Sequence, residues 1–365
     1  MDQLGTMVQG FYRLMRILVD IGHPAHVHYF KNFITIMKAR GHGFLVTARD
    51  KEITFTLLKL YQIPFVSRGA GGKGLLQKML YMLKADLFIY KQARKFKPDL
   101  FLSFASTYAA HASKMHGKPH IAMDDTEHAK FELFLYPPFT DVILTPSCFQ
   151  KDLGFKQIRF NAYTELLYLH KNYFAPNKAV LALMKINENE KFAIIRFVSW
   201  NASHDVGQKG LSNQDKIELV KYVSSKIKVF VSSEGEMPNE LEQFRFNVPV
   251  NYMHDSLFFA AMYIGEGGTT ASESSLLGTP AVYMNKLNMG YIAEEMEAGI
   301  LFQRIELPEI KEQIDKILSV EKNYYRAIAN KLTSDKIDIT AYLCWFVENY
   351  PGSKAMAMEK NVTKN

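Results

Sequence analysis

Residues Tyr263–Met284 read YIGEGGTTASESSLLGTPAVYM, and this stretch predicts one strand–helix–strand unit of the fold. An apolar run ends at two adjacent glycines, hydroxyl residues follow, and a Gly-Thr-Pro break precedes a second apolar run. Glycine permits tight backbone geometry, and Thr269 or Thr270 can cap a helix. The stretch therefore predicts a strand, a helix that runs through Leu277, and a second strand.

The same alternation of short apolar runs and helical patterns continues along most of the chain. The strand-like runs are RILVDIG, GFLVTAR, IPFVSRG, PDLFLSF, KPHIAMDD and TDVILTPS, then KFAIIRFVSW, KIKVFVSSEG, AMYIGEGG and TPAVYM. This pattern is typical of parallel sheets with helices on both faces. We predict the α/β class, with two Rossmann-like domains whose strands point their carboxyl ends at a shared cleft, where ligands bind.

The pattern breaks around NAYTELLYLHKNYFAPN, which we interpret as an interdomain linker. The predicted divisions are an N-terminal extension (1–14), a first Rossmann-like domain (15–165), the linker (166–177), a second Rossmann-like domain (178–334), a helix that packs back toward the first domain (335–350) and a flexible tail (351–365).

Composition limits the class of protein. Hydrophobic residues make up 48% and charged residues 22% of the 365 residues, which is typical of a globular chain. No apolar run reaches the roughly 18 residues that span a bilayer, and the N-terminus does not resemble a secretory signal. Cys148 and Cys344 cannot form a disulfide framework, so we expect a reduced, cytoplasmic protein. The net charge of +7 suits anionic partners.

The glycine pair carries a resemblance to a known family. A helix start after Gly267 and Gly268 presents N–H groups that suit a diphosphate, and Glu273, one turn on, could accept hydrogen bonds from a ribose diol. The segment resembles the nucleotide-sugar signature of GT-B glycosyltransferases, and it is most similar to that of the N-acetylglucosaminyltransferase that makes lipid II. The UDP-N-acetylglucosamine 2-epimerases are structurally related to these enzymes. The alternative is an ordinary capped helix with an exposed glutamate.

The resemblance implies a role for each part of this segment. The implied ligands are Gly267, Gly268, Thr269 and Thr270 for the diphosphate, Glu273 for the ribose, and Met253 and His254 for the uracil. Over residues 15–350 the chain is similar to a domain-of-unknown-function family of GT-B, glycosyltransferase-like proteins. By this resemblance the first domain binds the acceptor and the second binds the nucleotide sugar.

The loop DIGHPAHVHYFKN follows the first strand and holds three histidines. An imidazole titrates near neutral pH, so His26 or His23 is a candidate base for an acceptor hydroxyl. His26-Val27 resembles the His-Val that ends the corresponding family loop, of whose glycines only Gly22 remains. Histidines at positions 26 and 28 point in different directions at a helix start, so we predict no metal here. We also expect no cofactor, because the UDP-sugar is itself the donor substrate.

Three further groups of polar residues end predicted strands. In AMDDTEHAK, Asp125 and Glu127 are catalytic candidates, and helix capping is the alternative. In RFVSWNASHDVG, Arg196 and Ser199 could neutralise and bind a leaving diphosphate, unless Arg196 pairs with a surface acid. In SSEGEMP, residues Ser233 and Glu234 could touch the nucleotide.

The stretch GKGLLQKMLYMLKADLFIYKQARKFK combines an apolar helical face with many basic residues and one acid, Asp86. Leu76, Leu80, Leu83 and Leu87 share that face. The stretch could lie at an anionic bilayer surface near a lipid-linked acceptor, as a peripheral contact. The alternative is a core helix of the first domain.

These features favour a UDP-sugar glycosyltransferase that moves a HexNAc-type sugar to a hydroxyl of a glycan or lipid-linked acceptor, in surface polysaccharide or glycoconjugate synthesis. An inverting, metal-independent course follows from the lipid II resemblance. The alternative is a UDP-HexNAc 2-epimerase or hydrolase that uses the same cleft. A dehydrogenase is disfavoured because GHPAH replaces GxGxxG. Nucleic-acid binding is disfavoured because no basic and aromatic residues interleave.

Overall fold

The computed structural model describes residues 13–72, 74–129, 131–198 and 210–362. Its framework is two parallel sheets joined by helical connections, which confirms the predicted α/β class. Of the predicted site residues, Ser199 lies outside the described residues. Residues 1–12 of the predicted N-terminal extension lie outside them as well.

The first sheet has seven strands in the order β3-β2-β1-β4-β5-β6-β7. They are β1 (Arg16–Ile21), β2 (Gly43–Asp50), β3 (Val66–Ala70), β4 (Leu100–Phe104), β5 (His120–Met123), β6 (Val142–Pro146) and β7 (Gln157–Phe160). The helices between them are α1 (Pro24–Ala39), α2 (Thr54–Leu60), α3 (Leu75–Phe96), α4 (Thr107–Met115) and α5 (Glu132–Leu135).

The strand order decides which helices share a face of this sheet. The chain steps in one direction from β1 to β3, then crosses back past β1 and steps in the other direction from β4 to β7. Because parallel crossovers are right-handed, reversing the direction moves the connecting helices to the opposite face. Helices α1 and α2 therefore cover one face, and α3, α4 and α5 cover the other.

A buried ion pair fixes the carboxyl ends of four strands in this sheet. Asp20 of β1 is fully buried and accepts hydrogen bonds from the Thr47 hydroxyl at 2.8 Å and the Ser106 hydroxyl at 2.6 Å. The guanidinium of Arg68 on β3 donates to the same carboxylate at 3.0 Å. The pair thus ties β1, β2, β3 and the turn after β4 together, directly beneath the histidine loop.

Two short helices, α6 (Leu166–Leu169) and α7 (Ala179–Leu183), lead into the second sheet, whose order is β12-β11-β10-β8-β9. Its strands are β8 (Phe192–Phe197), β9 (Lys228–Ser233), β10 (Met262–Gly265), β11 (Ala281–Tyr283) and β12 (Leu301–Gln303). Its helices are α8 (Asn213–Ser224), α9 (Met253–Phe259), α10 (Gly268–Leu276), α11 (Gly290–Glu297), α12 (Leu307–Leu318) and α13 (Lys322–Thr333).

The segment predicted as a linker is part of the core. All four residues of α6 are buried, and Leu167 belongs to one hydrophobic core with Ile17 of β1 and Tyr263 of β10. The two sheets therefore share packed side chains through this segment.

The chain ends in two helices, α14 (Ile339–Glu348) and α15 (Gly352–Val362). Helix α14 packs on α1, where Glu348 accepts hydrogen bonds from Arg40 at 2.7 Å and His42 at 3.2 Å. The flexible tail predicted for residues 351–365 is wrong as far as residue 362. Ser353 is fully buried and donates to the carbonyl of Phe346 at 2.6 Å, so its packing outweighs the polar composition that suggested fraying.

Replacing Asp20 with alanine should leave the buried Arg68 guanidinium without its carboxylate. We expect a loss of about 3–5 kcal/mol in the free energy of unfolding, measured by urea denaturation. Glu188→Ala is the control, since its ion pair with Lys178 is solvent-exposed and should contribute little. An Asp20→Ala protein as stable as the control would show that the pair does not hold the strand ends.

Candidate active site

Helix α10 begins at the carboxyl end of β10, where the sequence predicts a diphosphate site. Its N-cap residue is Gly267, in extended conformation, and no side chain caps it. The predicted capping by Thr269 or Thr270 is wrong, because the helix starts earlier and both threonines lie in its first turn. Residues 267–270 are half-buried.

The second glycine lies in close contact with two side chains. A Cβ atom on Gly268 would come within 2.9 Å of the Met289 methyl group and 3.1 Å of the Tyr291 hydroxyl. The Gly-Gly pair therefore brings the start of α10 against α11 and the chain that precedes it.

Glu273 is buried and hydrogen-bonded from two directions. Its Oε1 atom accepts from the hydroxyl of Tyr168 at 2.5 Å and pairs with Nε2 of His254 at 2.9 Å. These partners outweigh the effect of burial and lower the pKa of Glu273, so the side chain is a carboxylate at neutral pH. Both of these bonds use Oε1.

Aromatic rings surround the predicted base-binding residue His254, which is buried on α9. The ring of His28 stands edge-on at 4.9 Å, and Tyr168 lies 5.1 Å away. Met253, at the first position of α9, is half-buried beside it. Burial and the neighbouring charge of His254 lower the pKa of His28 well below its usual value, so His28 is neutral.

Arg196 forms hydrogen bonds with neighbouring side chains. It donates to the Ser232 hydroxyl at 3.0 Å and to the Glu234 carboxylate at 2.7 Å. The ion-pair alternative raised for Arg196 is therefore the arrangement observed, and Glu234 is its partner. Ser233 ends β9 beside this pair and is half-buried.

Glu266, which the sequence left unassigned, is nearly fully buried and anchors the loop between β8 and α8. Its carboxylate accepts from the backbone N–H of Val198 at 2.9 Å and of Leu211 at 3.2 Å. Both ends of that loop are thus held at the start of α10. The position of Glu266 immediately before the glycine pair was the only signal in the sequence.

In each of the two candidate histidine bases, Nδ1 accepts a hydrogen bond from the backbone. Nδ1 of His23 accepts from the N–H of Ala25 at 3.2 Å, and Nδ1 of His26 accepts from the N–H of Gly22 at 3.3 Å. The proton of each neutral ring therefore lies on Nε2. Burial, with Lys51 and Arg68 nearby, lowers the pKa of His26 to about 3. As placed here, His26 and His23 are hydrogen-bond donors, and the base assignment made from the sequence loses its support.

Asp125 follows β5 and remains a candidate base. It is buried, and burial raises the pKa of its carboxyl group to about 6, while the Thr126 hydroxyl donates to it at 3.0 Å. Its charge also raises the pKa of Tyr29 and Tyr291, so it lies close to the residues that line the start of α10. Asp124 is structural, because Tyr136 donates to it at 2.7 Å.

Glu127 bridges the two sheets. Its two oxygens accept from the N–H of Gly290, the first residue of α11, at 3.2 and 3.1 Å, and one also accepts from Gln150 at 2.8 Å. A carboxylate at a helix N-terminus is stabilised by the helix dipole. We therefore replace the predicted catalytic role of Glu127 with a structural one. Gly290 cannot be substituted here, since its Cβ would lie 1.7 Å from the Cys148 carbonyl oxygen.

Two buried carboxyl groups were not predicted as site residues from the sequence. Glu165 lies just before α6, and neither of its oxygens has a hydrogen-bond partner among the described residues. Burial and the charge of Asp125 raise its pKa well above the usual value, which favours the protonated form. Glu295 of α11 accepts from Ser272, and burial raises its pKa to about 8. Glu165 lay in the segment interpreted as a linker, and neither residue belonged to a motif.

The described residues contain neither a cluster of metal ligands nor a membrane-spanning helix. In the part of the chain that the structure describes, no three His, Cys, Asp or Glu side chains converge as a metal site. Metal independence stays a prediction. Within the described ranges, no helix has the length and apolar composition that crossing a bilayer requires.

The chain matches the family described as "Protein of unknown function (DUF354)" over residues 15–340, and it belongs to that family. One relative is an uncharacterized protein of Methanocaldococcus jannaschii, 24% identical over 276 residues that cover 73% of this chain and 80% of the relative.

Solved structures share the fold at low identity. A putative UDP-N-acetylglucosamine 2-epimerase from Listeria monocytogenes has a TM-score of 0.64 at 12% identity and covers 87% of this chain and 91% of its own. The UDP-GlcNAc 2-epimerase from Neisseria meningitidis, bound to UDP-GlcNAc, has a TM-score of 0.61 at 14% identity. The match covers 96% of this chain and 100% of the epimerase chain. The spinosyn forosaminyltransferase SpnP has a TM-score of 0.60 at 12% identity. The match covers 89% of this chain and 96% of the transferase chain. The fold is therefore GT-B, which confirms the predicted fold class.

The raised pKa of Glu295 predicts a pH-dependent stability. The native state keeps a proton that the unfolded chain releases above about pH 4.5, so this stabilisation is complete below pH 4.5 and is lost as pH rises toward 8. Glu295→Gln cannot ionise. The wild-type free energy of unfolding should fall relative to this variant by up to about 1.4 kcal/mol per pH unit in that window.

Thermal or urea denaturation of both proteins between pH 5 and 8 measures this difference. Glu297→Gln changes an exposed glutamate of the same helix and should run parallel to the wild type. Parallel curves for the wild type and Glu295→Gln would show that Glu295 is ionised in the native protein.

Proposed function

We propose that this protein is a GT-B glycosyltransferase that moves a HexNAc-type sugar from a UDP-sugar to a hydroxyl of a glycan or lipid-linked acceptor. The reaction is inverting and needs no metal, and it serves surface polysaccharide or glycoconjugate synthesis. The protein acts in the cytoplasm, at the inner face of the membrane. The second domain holds the UDP-sugar, and the first domain binds the acceptor.

The observation that carries this proposal is the start of α10. Uncapped N–H groups follow the carboxyl end of a central strand, where parallel sheets bind ligands, and suit a diphosphate. The carboxylate of Glu273 lies one turn further along the same helix, with His254 beside it for the ribose and base. Several structural relatives are UDP-sugar enzymes by name, including one bound to UDP-GlcNAc, which supports the choice of nucleotide.

Asp125 is the proposed base of the transfer. A carboxylate with a pKa near 6 is largely ionised at pH 7 and still accepts a proton efficiently. His23 and His26, with their protons on Nε2, instead donate hydrogen bonds to substrate oxygens. Arg196 could reach the departing diphosphate only by exchanging its bond to Glu234.

A second function is favoured by the buried carboxyl groups. Asp125 and the protonated Glu165 provide a base and an acid close together, which is what inversion at C2 of a sugar requires. The alternative proposal is therefore a UDP-HexNAc 2-epimerase or hydrolase in the same cleft.

Incubation with UDP-GlcNAc in the absence of acceptor separates the two functions. The transferase proposal predicts unchanged UDP-GlcNAc until a polyprenyl-linked or glycan acceptor is added, followed by release of UDP. Inversion at C2, or free sugar without acceptor, would overturn it in favour of the alternative.

Glu273→Gln should weaken UDP binding by about 10-fold to 100-fold, because charged hydrogen bonds to the ribose are lost. Isothermal titration calorimetry with UDP measures this. Tyr168→Phe is the matched control, since it removes one hydrogen bond to Glu273 while keeping the carboxylate. It should bind UDP within about threefold of the wild type. Wild-type affinity in Glu273→Gln would refute the ribose role.

Asp125→Asn should lower kcat by about 10²-fold to 10⁴-fold and leave UDP affinity unchanged. In the wild type, kcat should rise with pH through about 6, because the base acts only when ionised. Glu127→Gln is the control and should keep its kcat, since Glu127 contacts backbone N–H groups. Normal turnover in Asp125→Asn would remove the base assignment.

A further inference from the structure

The outer face of α3 is apolar and exposed. Met79, Leu80, Leu83 and Leu87 are 55%, 50%, 65% and 51% exposed, and their spacing places them on one stripe of the helix. The opposite face of α3 packs into the core through Ala85, Ile89 and Ala93, which are buried. The core-helix interpretation of this stretch therefore accounts only for the inner face.

The exposed apolar surface continues across the rest of this helical layer. Nine of the fifteen large apolar side chains that are exposed among the described residues lie between positions 79 and 155. They are the four side chains on α3 together with Met115, Phe131, Phe134, Phe139 and Phe155. We call these nine side chains the α3–α5 surface. Its members come from segments on the same face of the first sheet.

Side-chain contacts join the parts of this surface. The ring of His111 on α4 contacts Asp86 of α3 at 3.0 Å and stands against Phe139 at 4.6 Å between ring centroids. Lys156, next to Phe155, donates to the carbonyl of Pro137 at 2.8 Å. Helix α3, helix α4 and the turns that follow α5 and precede β7 thus form one continuous layer.

Basic side chains border the apolar stripe. Lys84, Lys91 and Lys95 are exposed on one flank of α3, while the carboxylate of Asp86 is occupied by His111. At the other end of the surface, burial lowers the pKa of Lys156, the neighbouring Asp141 raises it, and Lys354 and Lys114 lower it. The α3 side of the surface is therefore basic, whereas its other end carries charges of both signs.

We propose that the α3–α5 surface docks on a membrane rich in anionic lipid. Its apolar side chains enter the interface between headgroups and acyl chains, and the lysines contact the headgroups. A second copy of the chain is a poorer occupant, since a twofold contact of this surface with itself would bring its basic borders together.

The surface lies beside the cleft. Phe131 and Phe134 follow Glu127, which contacts the second domain, by four and seven residues. A docked protein would therefore present the edge of the cleft to the lipid. That a lipid-linked acceptor enters there rests on the proposed transfer function, whereas docking itself does not.

Vesicle flotation of the full chain tests the proposal, with pure phosphatidylcholine vesicles and vesicles that contain one quarter phosphatidylglycerol. We expect binding to the anionic vesicles that weakens as salt is raised. Leu83→Glu/Leu87→Glu should lower the partition coefficient by at least about 100-fold. Lys84→Gln/Lys91→Gln/Lys95→Gln should lower it by about fivefold for each lysine removed, on anionic vesicles only.

Leu183→Glu is the matched control, because Leu183 has the same exposure as Leu87, 51%, but lies on α7. It should bind vesicles as the wild type does. All variants should keep wild-type UDP affinity by calorimetry, which separates this proposal from the nucleotide site.

Wild-type protein that does not float with anionic vesicles, or a Leu83→Glu/Leu87→Glu protein that floats equally well, would overturn the proposal. A wild-type dimer in light scattering that this double variant converts to monomer, without vesicle binding in either, would assign the surface to self-association. Binding only to an acidic protein, and to no vesicle, would likewise refute membrane docking.

Discussion

The buried carboxylate of Glu273 is the interaction on which the site depends. A charge removed from water must be surrounded by hydrogen-bond donors, or burying it costs several kcal/mol. Tyr168, from the segment between the two sheets, and His254, from α9, supply those donors. The same bonds fix the ring of His254 against His28 of the first domain. Removing the carboxylate would therefore loosen three elements at once.

Other carboxyl groups at the interface divide into two kinds. Burial raises the pKa of Glu127 as well, but its oxygens accept hydrogen bonds from backbone N–H groups on both sides of the cleft, which oppose that shift. Glu165 and Glu295 have oxygens without partners among the described residues, and burial raises their pKa values. The first kind holds the two sheets together. In the second kind, burial favours the protonated form.

The sequence predicted the fold well because parallel sheets leave a strong local pattern. Short apolar runs, each ending in a polar or glycine-rich turn, identified ten of the strands, and the Gly-Gly turn marked α10. The edge strands β7 and β12 were not predicted, because each is only three or four residues long. Helix α15 was missed because its stability comes from tertiary contacts, such as the buried hydroxyl of Ser353, and not from its own composition.

The candidate site was only partly predictable. Residue types at strand ends drew attention to Glu273 and Asp125, which the structure brings to the interface. The direction of each side chain could not be predicted, because it depends on distant partners. His26 turns Nδ1 toward the Gly22 N–H, and Arg196 points at Glu234. Glu165 carried no motif at all, since its meaning comes from burial between domains.

The most direct test of the account is a crystal structure of the protein with UDP. The account predicts the diphosphate on the N–H groups at the start of α10, the ribose on the carboxylate of Glu273 and the uracil beside His254. UDP bound away from α10, or with its ribose turned from Glu273, would contradict the central claim.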